Sequence, residues 1–341
     1  DIRQSRSRSP RGATKLLISR LKGSFGALVG TELSPARVLD RESGLGSQLR
    51  KAWLDSGGLL VLRGLTTMTP AEMVAISRIF GQVEEELEIN KKKYMVEGVA
   101  QVMRIGNTRT ADGVMTALNS NNAHLPADGS PQYRMADRLP VWHTDSTYRK
   151  RPPVGSLLFC KQAPPQGGDT CFADARGAFE ALDDETRSRL LGLECLCSQA
   201  HHDAKVHLSA PEFPTLGPEQ RKSFPAMRVP MVLKHPITGH LALYGMNSST
   251  CAVLPKGTPI SEDVMDGFEL EAKEDPSVAR EWRSLLPLVT SERFTVKWTW
   301  QPGDLVVWDN RCTMHCATGF DLQNHAREMW RTTLAFDLEE N

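Results

Sequence analysis

The sequence predicts an α+β protein built on a jelly-roll-type barrel of short strands that carries helical additions. Three observations point there. Many short apolar or alternating runs are separated by turns rich in Gly, Pro, Asn and Asp. Helix signals gather in the first half of the chain. Helices and strands do not alternate with the regular rhythm of a doubly wound parallel sheet. A generic α+β domain fits the same composition, so pattern alone leaves that choice open.

Taken in order, "GSQLRKAWLDSGG" reads as a helix stopped by Gly57 and Gly58. "LLVLRG", Leu59 to Gly64, follows as a buried strand. Thr69-Pro70-Ala71-Glu72 is a capping box with proline in the first helical position, opening a helix through Phe80. "AQVMRIGN" is strand-like. From Thr108 to Pro140 the chain is rich in Asn, Asp, Gly and Pro and has little periodicity. So long a connection is usually functional, and it is read as a lid at about 108–140. "SLLFCK" and "TCFAD" are short strands joined by "QAPPQGGD". Asp174 caps a helix through about Leu182, and a second helix runs to Leu191. "VPMVLKHPITGHLALYG" is a hairpin turning at Pro236 to Gly239. A helical stretch is expected from about Ser261 to Lys273. In "RFTVKWTW", Phe294, Val296, Trp298 and Trp300 face one way, and Thr295, Lys297 and Thr299 the other. "LVVWDN" and "EMWRTTLAFD" complete the strands.

The 341 residues carry 41 Lys plus Arg against 41 Asp plus Glu. This balance gives no global electrostatic reason to expect a nucleic-acid partner. No apolar run approaches the ~20 residues of a membrane span. Seven scattered cysteines, with no C-x-x-C pair, fit reduced thiols in the cytoplasm. Residues 1–14, Ser/Arg-rich, read as a disordered leader, and 15–341 as a single domain that could form a homo-oligomer.

The chemistry concentrates in "VWHTDSTY". His143 and Asp145 stand at i and i+2, so on an extended chain they point the same way. That suits two corners of a metal site. A two-His, one-carboxylate facial triad needs a third ligand and leaves three positions open on iron. The remaining candidates are His124, His201, His202, His207, His235, His240, His315 and His325. His315 ends "GDLVVWDNRCTMH", just beyond a buried strand and a turn, and is preferred. His325 reads as exposed loop, and His235 and His240 as solvated flanks of a hairpin turn. A second H-x-D, His201 and Asp203 in "AHHDAK", reads as a solvated loop.

"WHTDSTYRKRPPVGSLL", "APPQGGDTCFADARGAFEAL", "GDLVVWDNRCTMH" and "REMWRTTLAFD" resemble, in order and style, the TauD/TfdA family of Fe(II)/2-oxoglutarate-dependent dioxygenases. The resemblance is strongest from about Leu139 to Asp337 and nearer the dichlorophenoxyacetate branch. It implies a double-stranded β-helix (jelly roll) with flanking helices. It implies His143, Asp145 and His315 as iron ligands, with Fe(II), 2-oxoglutarate and O2 as the cofactor set. It implies that Thr170 and Arg327 hold the distal carboxylate of 2-oxoglutarate, and that Arg331 binds the anionic group of a small substrate. The stretch from His315 to Arg327 is one residue longer than the family norm, so which arginine serves which anion stays open.

The residues suit that chemistry. A guanidinium grips a carboxylate with paired, charge-assisted hydrogen bonds, and a threonine hydroxyl adds one more. If Arg327 to Arg331 is a strand, both side chains share a face with Met329 between them, starting roughly 13 Å apart. Asp309 and Asn310 are read as turn residues or as partners orienting His315, Lys297 as solvated, and Trp142 as packing. The acid at 145 speaks against a halogenase. The expected reaction is hydroxylation of a small carboxylate or sulfonate with release of succinate and CO2. An amino acid or secondary metabolite as substrate, and a non-catalytic jelly-roll binding protein, are the alternatives.

Overall fold

The computed structural model describes residues 16–30, 33–85, 94–109, 113, 141–209, 215–261 and 275–335. The expected leader, nearly all of the expected lid and the helix expected at about 261–273 lie outside these residues.

The first strands are β1 (Ile18–Lys22), β2 (Phe25–Val29), β3 (Leu59–Leu62), β4 (Met95–Val96) and β5 (Val99–Gly106). Then come β6 (Gly155–Gln162), β7 (Thr170–Asp174), β8 (Leu193–Cys197), β9 (Met227–Pro230), β10 (Val232–Lys234) and β11 (Leu241–Leu243). The last are β12 (Thr250–Pro255), β13 (Thr295–Trp298), β14 (Leu305–Asp309), β15 (Thr313–Ala317) and β16 (Glu328–Leu334). The helices are α1 (Pro35–Leu39), α2 (Leu45–Asp55), α3 (Pro70–Ser77), α4 (Ala175–Glu180), α5 (Asp184–Leu191), α6 (Gln199–Ser209), α7 (Pro218–Ser223) and α8 (Pro276–Val289).

Two sheets make the jelly roll. The larger runs β1-β2-β3-β14-β6-β16-β5-β4, and the smaller runs β13-β7-β15. Between them lie Phe172, Val296, Trp298, Trp300, Val306, Trp308, Leu158, Cys160 and Met329. The outer face of the large sheet packs on α1–α3 through Leu49, Trp53, Met73, Ile76 and Phe80. The outer face of the small sheet packs on α4, α8 and the β10–β11 hairpin, with Cys171, Ala173, Met314 and Cys316 facing that way.

The alternation of each strand decides what reaches the interior. On β7, Cys171 and Ala173 point outward, so Thr170 and Phe172 point inward. On β15, Met314 and Cys316 point outward, so His315 points inward. In "RFTVKWTW" the expected face is buried: Phe294, Val296, Trp298 and Trp300 are each under 10% exposed.

The capping box at Thr69 and Glu72 is present, with both reciprocal bonds made. The helix it opens ends at Ser77, a few residues earlier than expected. A helix that the sequence leaves unpredicted, α8, is capped by Asp275 with Pro276 in its first turn.

Two readings need correction. His235 is 2% exposed, because Asp309 fills the space beside its ring. His201 and Asp203 lie on α6, not in a solvated loop, and are 1% and 7% exposed. Lys297 is exposed, as expected, and its Nζ lies 3.1 Å from Asp169 Oδ2.

Candidate metal centre

His143 reaches the site from a turn, and the turn is held by the strand that carries His315. The two residues exchange both main-chain hydrogen bonds, His143 N to His315 O at 3.0 Å and His315 N to His143 O at 2.9 Å. Thr144 Oγ1 adds a bond to Thr313 O at 3.1 Å. Beyond Asp145, Thr147 is tied to Asn247 by a 2.6 Å bond from Asn247 Nδ2. Arg149 pairs with Glu84 at 2.8 Å. Ser146, just after Asp145, has φ of +50°, the sole described non-glycine residue with positive φ. The turn is therefore fixed on both sides of its two ligating side chains.

Those side chains converge. Asp145 Oδ1 lies 3.8 Å from Nε2 of His143 and 3.8 Å from Nε2 of His315. All three donor atoms fall within 4.8 Å of one another. His143 Nδ1 is 3.1 Å from Val141 O, so it carries the proton and leaves Nε2 bare for a cation. The His315 ring is packed by Trp308 at 4.9 Å and by His143 at 4.2 Å between centroids. Burial, then the adjacent His143, push the His315 pKa down to about 3, so its imidazole is neutral as a metal ligand must be. Burial alone would raise the Asp145 carboxyl, but Arg331 holds it well below the usual range, aided by Ser156. Two neutral imidazoles and one carboxylate are the donor set that suits Fe(II), so the residues fit the metal.

Arg331 touches this centre, and Arg327 lies against the loop that leads into β7. Arg331 NH2 lies 2.6 Å from Asp145 Oδ2, and its Nε is buried with no hydrogen-bond partner among the described residues. Arg327, just before β16, donates from Nε to Gly168 O at 3.0 Å. It forms no ion pair among the described residues, and burial pushes its pKa down to about 10. A partly buried guanidinium in that state attracts an anion. Thr170 stands opposite Ala317 on β15, two residues from His315, and its Oγ1 accepts a 3.1 Å bond from Trp300 Nε1.

The "GGD" before Thr170 lies against Arg327. Gly167 and Gly168 have φ of +70° and +65°. A Cβ on Gly167 would lie 2.2 Å from Gly319 O, and one on Gly168 3.1 Å from Arg327 Cδ. Only glycine allows the loop to lie this close to Arg327.

A second cluster, His235, Asp309 and Cys312, also has donor atoms within 4.8 Å of one another. Its donors are already committed. His235 Nδ1 accepts from the backbone of Ile237 and Thr238, at 3.2 and 3.1 Å, so Nε2 bears the proton it gives to Asp309. Arg311 bonds both oxygens of Asp309, at 2.9 and 2.8 Å. Asp309 therefore does not orient His315. Asn310 binds Trp308 Nε1 and Pro153 O instead, and so holds the ring that packs on His315.

The pattern of the family described as "Taurine catabolism dioxygenase TauD, TfdA family" matches residues 17–333. The chain belongs to the TauD/TfdA family. The match reaches well before Leu139, where the sequence motifs are weakest. Among curated relatives is the (S)-phenoxypropionate/alpha-ketoglutarate-dioxygenase of Delftia acidovorans, 26% identical over 91% of this chain and 93% of that one. Another is the alpha-ketoglutarate-dependent 2,4-dichlorophenoxyacetate dioxygenase of Burkholderia sp. (strain RASC), 27% identical over 88% and 86%. A crystal structure of AAD-2 in complex with Mn(II) and N-oxalylglycine matches with a TM-score of 0.67 at 24% identity, covering 94% of this chain and 98% of that one. That likeness shows the fold, the jelly roll with flanking helices. As a TauD/TfdA protein the chain is a 2-oxoglutarate-dependent dioxygenase, an oxidoreductase that uses Fe(II), 2-oxoglutarate and O2.

Proposed function

We propose that this TauD/TfdA enzyme hydroxylates a small organic carboxylate of the aryloxyalkanoate kind at the carbon beside its ether oxygen. The observation that carries this is the pair of arginines, Arg331 on Asp145 and Arg327 against Gly168 in the loop that leads to Thr170. Arg327 is a partly buried cation without an ion pair among the described residues, against the Gly167–Gly168 loop that leads to Thr170. Arg331 touches the metal-ligand carboxylate and keeps its Nε unpartnered among the described residues. Two cations call for two anions, a dicarboxylate co-substrate and an anionic substrate. The two curated relatives are named for phenoxypropionate and dichlorophenoxyacetate, which supports the substrate class we favour.

Iron, when bound, supplies the activation of O2. His143, Asp145 and His315 are its ligands. Arg327 and Thr170 bind the distal carboxylate of 2-oxoglutarate by charge-assisted hydrogen bonds. Arg331 binds the substrate carboxylate while one of its nitrogens stays on Asp145. Phe172 and Trp308 pack around His315 and keep water from that side of the centre. One oxygen atom of O2 enters the substrate and the other enters succinate, with CO2 lost from 2-oxoglutarate. The hydroxylated carbon then bears an ether oxygen and a hydroxyl, and it collapses to a phenol and a 2-oxo acid. None of the seven cysteines is in a disulfide and all are buried, which supports a reducing cytoplasm as the setting.

The test is anaerobic titration with Fe(II) and 2-oxoglutarate, following the weak visible charge-transfer band of the chelate. Aryloxyalkanoates, sulfonates and amino acids are then scored by succinate release and, for the first, by phenol. Phenol formed in step with succinate supports the reading. Succinate release driven by an amino acid or sulfonate, with none from any aryloxyalkanoate, overturns it.

A further inference from the structure

The two oxygens of Asp145 face different surroundings. Oδ1 is directed at the two histidines, 3.8 Å from each Nε2. Oδ2 is turned away, toward Arg331 NH2 at 2.6 Å and Ser156 Oγ at 3.2 Å. Arg331 NH2 also lies 2.9 Å from Ser156 Oγ. A hydroxyl has one proton and two lone pairs. Ser156 therefore accepts from Arg331 and gives its proton to Asp145. The three groups close a ring over the oxygen that does not face the metal site.

The fold commits Ser156 to this place. It is the second residue of β6 and is fully buried. Leu158 and Cys160, which share its face of the strand, belong to the apolar core between the sheets. A hydroxyl in such a row is costly unless bonded, and both of its partners here are charged. On β16, Thr333 lies opposite Ser156 and Arg331 opposite Leu158, which puts the guanidinium within reach. Next to Ser156, a Cβ on Gly155 would lie 2.6 Å from Trp308 O, so only glycine lets β6 run this close to β14 there.

We propose that Ser156 is a positioning residue of the metal centre. With Arg331 it pins Asp145 Oδ2, so that the carboxylate ligates through Oδ1 alone. A carboxylate free to turn would offer both oxygens and take up one of the three positions the facial triad must leave open. The proposal rests on the reading of His143, Asp145 and His315 as metal ligands and adds a residue to which the sequence alone assigned no role.

The test uses Mn(II) and Co(II) alone as probes of the full chain. Ser156→Ala should bind Mn(II) about 10-fold more weakly than the parent, the scale seen when a hydrogen-bond partner of a ligand is lost. It should also change the visible ligand-field bands of the Co(II) protein, which report coordination number. Ser156→Thr, which keeps the hydroxyl, should recover most of the affinity, and Ser156→Val, its isostere without the hydroxyl, should not. Parent-like Mn(II) affinity and Co(II) bands in a folded Ser156→Ala protein overturn the proposal. If that variant does not fold, equal Mn(II) affinities of the Thr and Val variants overturn it. A separate control is His143→Ala: Mn(II) binding that survives this change sinks the metal reading itself, and the proposal with it.

Discussion

His143 and His315 are joined through their backbones as well as through the site they share. Their two main-chain hydrogen bonds, 3.0 and 2.9 Å, need neither side chain. Removing one imidazole therefore takes away a ligand and leaves the bridge. His143→Ala should abolish the charge-transfer band formed with Fe(II) and 2-oxoglutarate. Its melting temperature without metal should stay within a few degrees of the parent, since the His143 side chain packs at the edge of the core and is partly exposed. Titration and a thermal melt on the same preparation check both halves.

Arg327 and Arg331 should separate kinetically. A charge-assisted hydrogen bond contributes about 1.5–3 kcal/mol, or roughly 10- to 100-fold in affinity. Arg327→Ala should weaken 2-oxoglutarate binding on that scale. Arg331→Ala should chiefly raise KM for the primary substrate. It should also loosen the metal, because Asp145 Oδ2 loses its 2.6 Å partner. Equal losses of 2-oxoglutarate affinity in the two variants would overturn the division of roles.

These sites were legible to different depths. The H-x-D pair could be read because two alternate residues on an extended chain need no tertiary information to share a direction. His315 could be read because a buried strand and a turn bring its end to the barrel rim. Thr170, Arg327 and Arg331 came from motif likeness, and only the folded chain reveals that Arg331 leans on Asp145. His235 was misread because its neighbour in space, Asp309, is far off in sequence, and a hairpin flank looks solvated until another strand covers it. His201 and Asp203 were misread because a polar stretch such as "AHHDAK" gives no apolar stripe, yet α6 packs against β12. The start of α8 did leave a signal, Asp275 before Pro276, but the surrounding charges and Pro287 disguised the helix. Ser156 left none, since a serine in a strand has no pattern of its own.

Asp309 offers a contrast with Asp145. It is fully buried, and burial alone would raise its carboxyl, yet Arg311 and His235 hold it well below the usual range. Asp309→Asn leaves Arg311 buried beside a neutral group. Breaking a buried pair costs about 3–5 kcal/mol. At about 2–4 °C per kcal/mol for larger domains, the melting temperature should fall by about 10 °C. The variant should still bind Mn(II) at the 143–145–315 site at temperatures where it is folded. Loss of metal binding without loss of stability would reverse the roles assigned to the two clusters.

The acid sensitivity of the metal-free protein should come first from His315. Its imidazole has a pKa of about 3 when folded, against 6.5 for the unperturbed group, because it is buried and stands beside His143. Between these values the unfolded chain holds a proton that the native protein lacks. Unfolding there takes up a proton, so stability falls as pH falls, by at most about 1.4 kcal/mol per pH unit for one group. Above pH 6.5 the contribution is complete and flat. Asp145 and Asp309, both held low, act in the same sense, but only below the ordinary carboxylate range near 3.8. Asp174, raised by burial, opposes them. Calorimetric melts of chelator-treated protein should therefore be level from pH 8 to about 6.5 and decline steadily toward pH 4. His315→Phe replaces the ring with an apolar one that still packs against Trp308 and Phe172, and it should flatten the decline between pH 6.5 and 4. An unchanged slope in that variant would assign the lost stability to another group.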